Sequence, residues 1–165
     1  MKNAGLQLKT TTMNTNNLLD GVLRVLPANI RQLVAALPKQ AQEQMEEIRI
    51  RQDRPLGVRI AASDLFIKAS GGLTDRVSES YFITASDMDR VIQLLSGSSV
   101  YALEEELRNG FITLSGGHRV GITGKAVLEG GKIKTLKYLS CCNIRISREI
   151  KGCGDEVLPH IIDRR

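Results

Sequence analysis

Apolar residues recur at helical spacing through the first structured stretch of the chain. Leu18, Leu19, Val22, Leu23 and Leu26 fall on one face of a helix starting near Asn17 that Pro27 ends, and Ile30, Leu33, Val34 and Leu37 repeat the spacing up to Pro38. Two short helices are predicted there, with a third turn through Gln40 to Met45. At Glu47 the period changes to two. Ile48-Arg49-Ile50-Arg51 alternates apolar with cationic, and Leu56-Gly57-Val58-Arg59-Ile60 does the same after Asp53-Arg54-Pro55, the pattern of a β-hairpin. Leu65 to Ile67 and Tyr81 to Ile83 read as short strands separated by a Gly71-Gly72 turn. Thr84-Ala85-Ser86-Asp87 has the form of a capping box, and Met88, Val91, Ile92 and Leu95 extend it as one helical stripe. A second helix is predicted over Val100 to Arg108, with Glu104, Glu105 and Glu106 on its outside and Asn109-Gly110 at its end.

Phe111 to Ser115, the pair Gly116-Gly117 and the run His118 to Leu128 predict a second hairpin, because paired glycines supply the positive φ of a two-residue turn. Gly130-Gly131 repeats the device. Lys132 to Tyr138 and Asn143 to Ser147 follow as strands, and Asp155 to Ile162 reads as an amphipathic helix. The expected fold is α+β: short N-terminal helices packed with a mainly antiparallel or mixed sheet and two to three further helices. A helical lobe over 17–45 and a sheet-containing lobe over 46–165 would share one core. Residues 1–16, rich in Thr and Asn, hold too little apolar surface to offset the entropy of ordering and read as a disordered tail.

With 165 residues the chain has the length of one ordinary domain; aromatic residues make up 4% and Trp is absent, so the core must be aliphatic. A net charge of +5 admits acidic partners without the lopsidedness usual in nucleic-acid proteins. Cys141, Cys142 and Cys153 build neither a disulfide framework nor paired zinc knuckles, and a reducing cytoplasm fits them best. Cys141-Cys142 read as small apolar filler. His118 and His160 have no ligand spacing, so no metal is expected. No stretch approaches the ~18 apolar residues of a membrane span, and the N-terminus lacks the apolar run of a secretory signal.

Arg49, Arg51, Arg59, Arg119 and Arg145 each sit between apolar neighbours on a predicted strand, so alternation puts them on the sheet face opposite the core. One such arginine is the ordinary solvated half of a strand. Five on neighbouring strands would form a cationic surface that takes phosphate or carboxylate through paired N–H donors. Gly116 to Lys125 invites a phosphate-loop reading, but Arg119 stands where the Walker pattern needs its first Gly, and Ala126 stands where it needs Ser or Thr. The stretch also predicts strand-turn-strand, so no helix N-terminus meets a phosphate. Gly116, Gly117, His118 and Gly121 are therefore read as a supporting turn, and no catalytic residue or cofactor is assigned to the chain. Nothing in it has the local signature of a nucleophile elbow.

Glu47-Ile-Arg-Ile-Arg51 with Arg54-Pro55, Ser99-Val-Tyr-Ala102 with Glu104-Glu105-Glu106-Leu107, Gly110-Phe-Ile-Thr113, Gly116-Gly-His-Arg-Val-Gly121 and Asn143-Ile-Arg-Ile146 together resemble the stage III sporulation protein AA family, from about Leu18 to Ile162. That family is similar to the hexameric motor ATPases of secretion and pilus systems, in which an N-terminal domain precedes a RecA-like domain holding the phosphate loop. The chain resembles the first part alone, so it is expected to be a piece of a longer protein or a shortened gene product. Cys141-Cys142 and the long polar tail depart from the family pattern, and neither touches the arginines.

The resemblance implies a non-catalytic regulatory and assembly domain, with ATP and Mg belonging to the full-length protein. Its partners would be its own ATPase domain, neighbouring protomers of a homo-hexamer, and membrane proteins of a mother cell–forespore channel complex. Location in the mother-cell cytoplasm is implied, with membrane attachment through partners. By motif match Arg49, Arg51, Arg119 and Arg145 are the candidates for contact with nucleotide phosphate or a neighbouring protomer. A nucleic-acid-binding module using the arginine face is the alternative, disfavoured by the scarcity of aromatics for base stacking.

Overall fold

A computed structural model describes residues 18–97, 106, 108, 110–148 and 152–161. Three short helices come first among the described residues: α1 (Asp20–Leu23), α2 (Ala28–Ala35) and α3 (Lys39–Glu43). Pro27 and Pro38 stand immediately before α2 and α3, where a missing N–H costs nothing and the fixed φ starts the helix. The first helix is shorter than its periodicity predicts; only four residues are α-helical, and the chain continues to Leu26 in turns. Isolated helices of this length are unstable in water, so these depend on the apolar side chains they bury, Val22, Leu26, Ile30 and Val34 among them.

Among the described residues seven antiparallel strands follow: β1 (Met45–Arg51), β2 (Gly57–Ile60), β3 (Ser63–Ile67), β4 (Leu73–Thr74), β5 (Phe111–Thr113), β6 (Arg119–Glu129) and β7 (Lys132–Arg145). They form one sheet in the order β4-β3-β2-β1-β7-β6-β5, so the expected α+β class holds, with a wholly antiparallel sheet. The 12-residue helix α4 (Ala85–Ser96) lies between β4 and β5 in sequence, and a four-residue helix α5 (Leu158–Ile161) comes last. Helices and sheet share one hydrophobic cluster, which joins Val22, Ile30 and Val34 to Ile48, Ile50, Val58 and Ile144 and to Met88 and Val91 of α4.

β1 begins at Met45, two residues before the alternation begins in the sequence. The pairing with β2 shifts between Met45 and Glu47, a bulge that inserts one residue. Met45, Ile48 and Ile50 consequently all reach the core while Glu46 and Glu47 both point away from it, which strict alternation forbids. β2 and β3 are joined by Ala61-Ala62, both in the left-handed region (φ 47° and 65°). Alanine gains nothing there that asparagine or glycine would not gain more cheaply, so this tight turn carries no sequence signal.

Three further expectations are corrected. Tyr81 to Ile83 is no strand; it makes an isolated bridge, Pro55 to Phe82, and backbone hydrogen bonds that hold Tyr81 and Ile83 beside the core. Lys132 to Tyr138 and Asn143 to Ser147 are not separate strands but one long β7, whose register with β6 shifts near Tyr138 (φ 50°) and which ends at Arg145. The helix expected over Asp155 to Ile162 is present only as Leu158–Ile161; residues 152–157 are turns, Leu158 and Ile161 are exposed, and Ile162 lies outside the described residues. Most of the helix expected over Val100 to Arg108 lies outside the described residues, although Glu106 and Arg108 are helical, and the expected tail over 1–16 lies wholly outside them. Among the described residues no helix is long and apolar enough to cross a membrane.

Candidate functional site

Pairing across five ladders lines up one row of residues on the sheet face away from the core: Asp64 on β3, Arg59 on β2, Glu47 on β1, Arg145 on β7, Arg119 on β6 and Thr113 on β5. Directly opposed residues share a face, so all six side chains stand on one wall. The next row brings together Gly57, Arg49, Asn143, Gly121 and Phe111, and the row after it Arg51, Cys141 and Thr123. All five strand arginines therefore share one face. Their side chains differ in what they already hold.

Arg49 is committed within the sheet. Its Nε donates to Glu47 at 2.7 Å and its Nη1 reaches Asp64 at 3.0 Å. Gly57 stands directly opposite Arg49 on β2, where a Cβ would make only ordinary contact, 3.5 Å, with Arg49 Cβ. The hydrogen bond to Glu47 raises the affinity of Arg49 for its proton, against a smaller opposing effect of burial. Arg59 is shared between Glu46 (3.2 Å) and Asp64 (3.7 Å). These two arginines brace the wall. Arg145 is 80% exposed and meets Glu47, itself already engaged, only at 3.9 Å. Arg119 is exposed, and its guanidinium lies 4.7 Å above the centre of the Phe111 ring. Arg51 is exposed at the end of β1, and among the described residues no carboxylate pairs with it or with Arg119. The signs along the first row run −, +, −, +, + from Asp64 to Arg119, and the unbalanced excess sits on Arg145 and Arg119.

The hairpin beside this pair forms as the sequence suggests, but β5 ends at Thr113 and the turn holds three residues, Ser115 to Gly117, closed by hydrogen bonds between Leu114 and His118 and from the Gly117 N–H to the Leu114 carbonyl. Gly116 and Gly117 both have positive φ (89° and 77°), and β6 continues as strand through Gly124-Lys125, across a register shift with β7 at Gly124. His118 is 2% exposed, so it supports the wall from beneath and cannot contact a ligand. Its Nδ1 accepts from the Ser147 N–H at 3.0 Å, and the ring also hydrogen-bonds the Leu18 backbone, clamping the hairpin to the end of β7 and the start of the helical segment. Gly21 of α1 passes so near the Ser115 carbonyl that a Cβ there would collide with it, and a Cβ on Gly116 would meet the imidazole at 2.9 Å. Gly121 is not in the positive-φ region; it stands directly opposite Phe111, and a Cβ there would meet only the Asn143 carbonyl oxygen, at 3.9 Å.

Burial pushes the His118 pKa below its ordinary value, with the Leu18 hydrogen bond opposing more weakly. The folded state therefore holds this ring neutral while the unfolded chain protonates it near pH 6.5. Stability from this site is complete above that pH and is lost as pH falls toward the folded value. Urea midpoints should decline from about pH 8 to about pH 5.5 in the wild type, and the decline should flatten in His118→Asn, whose Oδ1 can still accept from Ser147; equal slopes in the two proteins would exclude His118 as the titrating group.

Of the cysteines, Cys142 is buried in the core, and burial, followed by the neighbouring Cys141, pushes its thiol up to about 12, which keeps it unreactive. Among the described residues no three His, Cys, Asp or Glu side chains gather as a metal-binding group.

Sequence reasoning identified the arginines but missed Glu46, Glu47 and Asp64 as the groups that divide them into braces and free ends. Their acidity was visible, but their register was not. No solved structure matches the chain. Stage III sporulation protein AA of Bacillus subtilis (strain 168) is 32% identical over 143 residues, an alignment covering 87% of this chain and 43% of that protein. The chain thus spans less than half the length of this relative. The family model described as "Sporulation stage III, protein AA" matches residues 17–165. The chain belongs to the stage III sporulation protein AA family, a family of sporulation proteins.

Proposed function

We propose that this chain is the non-catalytic N-terminal domain of a sporulation motor ATPase and that its cationic sheet face is an assembly surface. Arg51, Arg119 and Arg145 take the phosphates of bound nucleotide or the carboxylates of the protein's own ATPase domain and of neighbouring protomers, and Arg49 and Arg59 stiffen the wall behind them. One observation carries the reading: Arg119 and Arg145 stand directly opposite each other on β6 and β7, both exposed, with the nearest carboxylate already used by Arg49. Like charges so placed repel, and a dianionic or bidentate partner turns that repulsion into attraction.

Family membership supports the setting in sporulation, and the strand geometry through Gly124-Lys125 supports the absence of a nucleotide-splitting loop. In the full-length protein a RecA-like domain with ATP and Mg supplies hydrolysis, within a homo-hexamer of the mother-cell cytoplasm that drives a membrane channel complex. Steady-state assays on this chain should show no ATP turnover above blank, and turnover that Lys125→Ala abolishes would overturn the reading. A nucleic-acid module would instead bind oligonucleotides with affinity that falls steeply between low and high salt. Arg119 on Phe111 is the one feature of the face that favours it.

A further inference from the structure

Independently of the arginine face, β6 and β7 continue past the sheet that supports them. β1 ends at Arg51 opposite Cys141, and β5 pairs with β6 only from Arg119 to Gly121, whereas β6 and β7 go on pairing from Lys125 with Lys137 to Glu129 with Lys132. The result is a two-stranded arm over residues 124–139, on the order of 20 Å long at ~3.4 Å per residue. Gly130 and Gly131 close its tip at φ 59° and 78°, the turn whose twist matches the strands. Among the described residues no third strand flanks it, and a two-stranded hairpin is marginal by itself, so its exposed surface calls for a use.

The register sorts the arm into two faces. Ala126 with Leu136 and Leu128 with Ile133 lie on the side that continues the core face of the sheet. Leu136 and Leu139 near the base pack against the core, but among the described residues nothing covers the tip: Leu128 is 64% exposed and Ile133 45%. Lys125, Lys137 and Lys132 lie on the other side. The arm holds four lysines and one glutamate, and that glutamate, Glu129, is taken by Lys134 at 2.9 Å. Tyr138 at the base is exposed and amphipathic. An aliphatic side backed by lysines, with little acidic charge, is the composition of elements that lie in a membrane interface, where apolar groups enter the acyl boundary and lysine stems bend toward lipid phosphates.

We propose that the β6–β7 arm is a surface anchor for a bilayer rich in anionic phospholipid. The charge favours this occupant over a second copy of the chain, since two arms side by side would crowd eight lysines against two glutamates. It also favours lipid over nucleic acid, which has no use for an aliphatic side and stacks on aromatic rings that the arm's apolar face lacks.

Sedimentation of the full chain with vesicles tests it. Partition onto phosphatidylcholine mixed with phosphatidylglycerol should exceed partition onto phosphatidylcholine alone by about tenfold or more, and should weaken as salt rises. Leu128→Ser/Ile133→Ser and Lys132→Glu/Lys137→Glu should each cut anionic binding by about tenfold with unchanged circular dichroism, because all four side chains are exposed. The chain has no tryptophan, so Ile133→Trp places a single indole on the arm; its emission should shift to the blue on anionic vesicles. Absence of binding, equal binding to both lipids, or anionic binding untouched by the serine pair would overturn the proposal. So would lipid-free dimerisation that the serine pair abolishes, which would assign the arm to a second copy.

Discussion

Replacing Asp87 by alanine is expected to lower the unfolding free energy by about 3 kcal/mol, a large share of the roughly 5–15 kcal/mol typical of a domain. This carboxylate is the anchorage of α4 and more. It accepts from the Thr84 N–H at 2.9 Å and the Thr84 hydroxyl at 2.8 Å, while the Thr84 Oγ1 accepts from the Asp87 N–H at 3.1 Å, completing the capping box. It also accepts from Asn29 of α2 at 2.8 Å and from the Tyr81 hydroxyl at 2.8 Å, and Asn29 donates to that same hydroxyl at 2.7 Å. One buried group therefore ties α2, the segment before α4 and the start of α4 itself. Alanine would leave several of these donors without their shared acceptor, the half-buried Tyr81 hydroxyl among them. Asp87→Asn keeps one acceptor oxygen and should cost less.

Burial alone would raise the pKa of Asp87, but the hydrogen bonds from Asn29, the Thr84 N–H, Tyr81 and the Thr84 hydroxyl outweigh it and hold the pKa below its ordinary value. Its contribution is accordingly complete above about pH 4, where the unfolded chain is ionised, and is lost as pH falls through the lower folded value. Chemical denaturation at neutral pH and in acid checks both statements. An alanine variant within about 1 kcal/mol of wild type would show that the network is not what holds α4.

That network is half legible in the sequence. Thr84 and Asp87 announce the capping box because the motif is local, three residues apart, and α4 follows with the apolar spacing that buries Met88 and Val91. Asn29 and Tyr81 are 58 and 6 residues from Asp87, and nothing in their neighbourhoods marks them as its donors. The same division runs through the sheet. Glycine pairs at 71–72, 116–117 and 130–131 gave away their turns because glycine occupies positive φ at no steric cost. Ala61-Ala62 hid an equally tight turn, held by the ladders on either side and not by local preference. The bulge at Met45 was hidden for a related reason: period-two reading assumes an unbroken register, and one inserted residue shifts which positions count as inward.

The arginine wall was legible as a set and opaque in its parts. Alternation requires only that Arg49, Arg51, Arg59, Arg119 and Arg145 leave the core side of their strands. Strand order decides that Asp64 lies opposite Arg59 and within reach of Arg49, and that Arg145 faces Arg119. A chain in which β7 paired elsewhere would have the same pattern and no concentration of charge.

Arg119→Glu should separate fold from function on that wall. Facing Arg145 on β7, the introduced carboxylate would replace a like-charged cross-strand pair by an opposite-charged one, a gain of about 0.2–1 kcal/mol. The variant loses the cation–π contact with Phe111, about 0.5–1 kcal/mol at an exposed site. The two nearly cancel, so the isolated chain should melt within a few degrees of wild type. Under the proposed assembly role, a carboxylate aimed at phosphate or at acidic partner groups removes one attraction and adds one repulsion in the same place. Association of the full-length protein, or its ATP turnover where assembly is required, should fall by about 2 kcal/mol or more, roughly thirtyfold. Arg59→Glu is the control. It removes a brace already shared by Glu46 and Asp64, crowds three carboxylates together, and should lower the melting temperature before it disturbs assembly. If Arg119→Glu unfolds the chain while leaving assembly intact in whatever remains folded, the free arginines serve the sheet and not a partner.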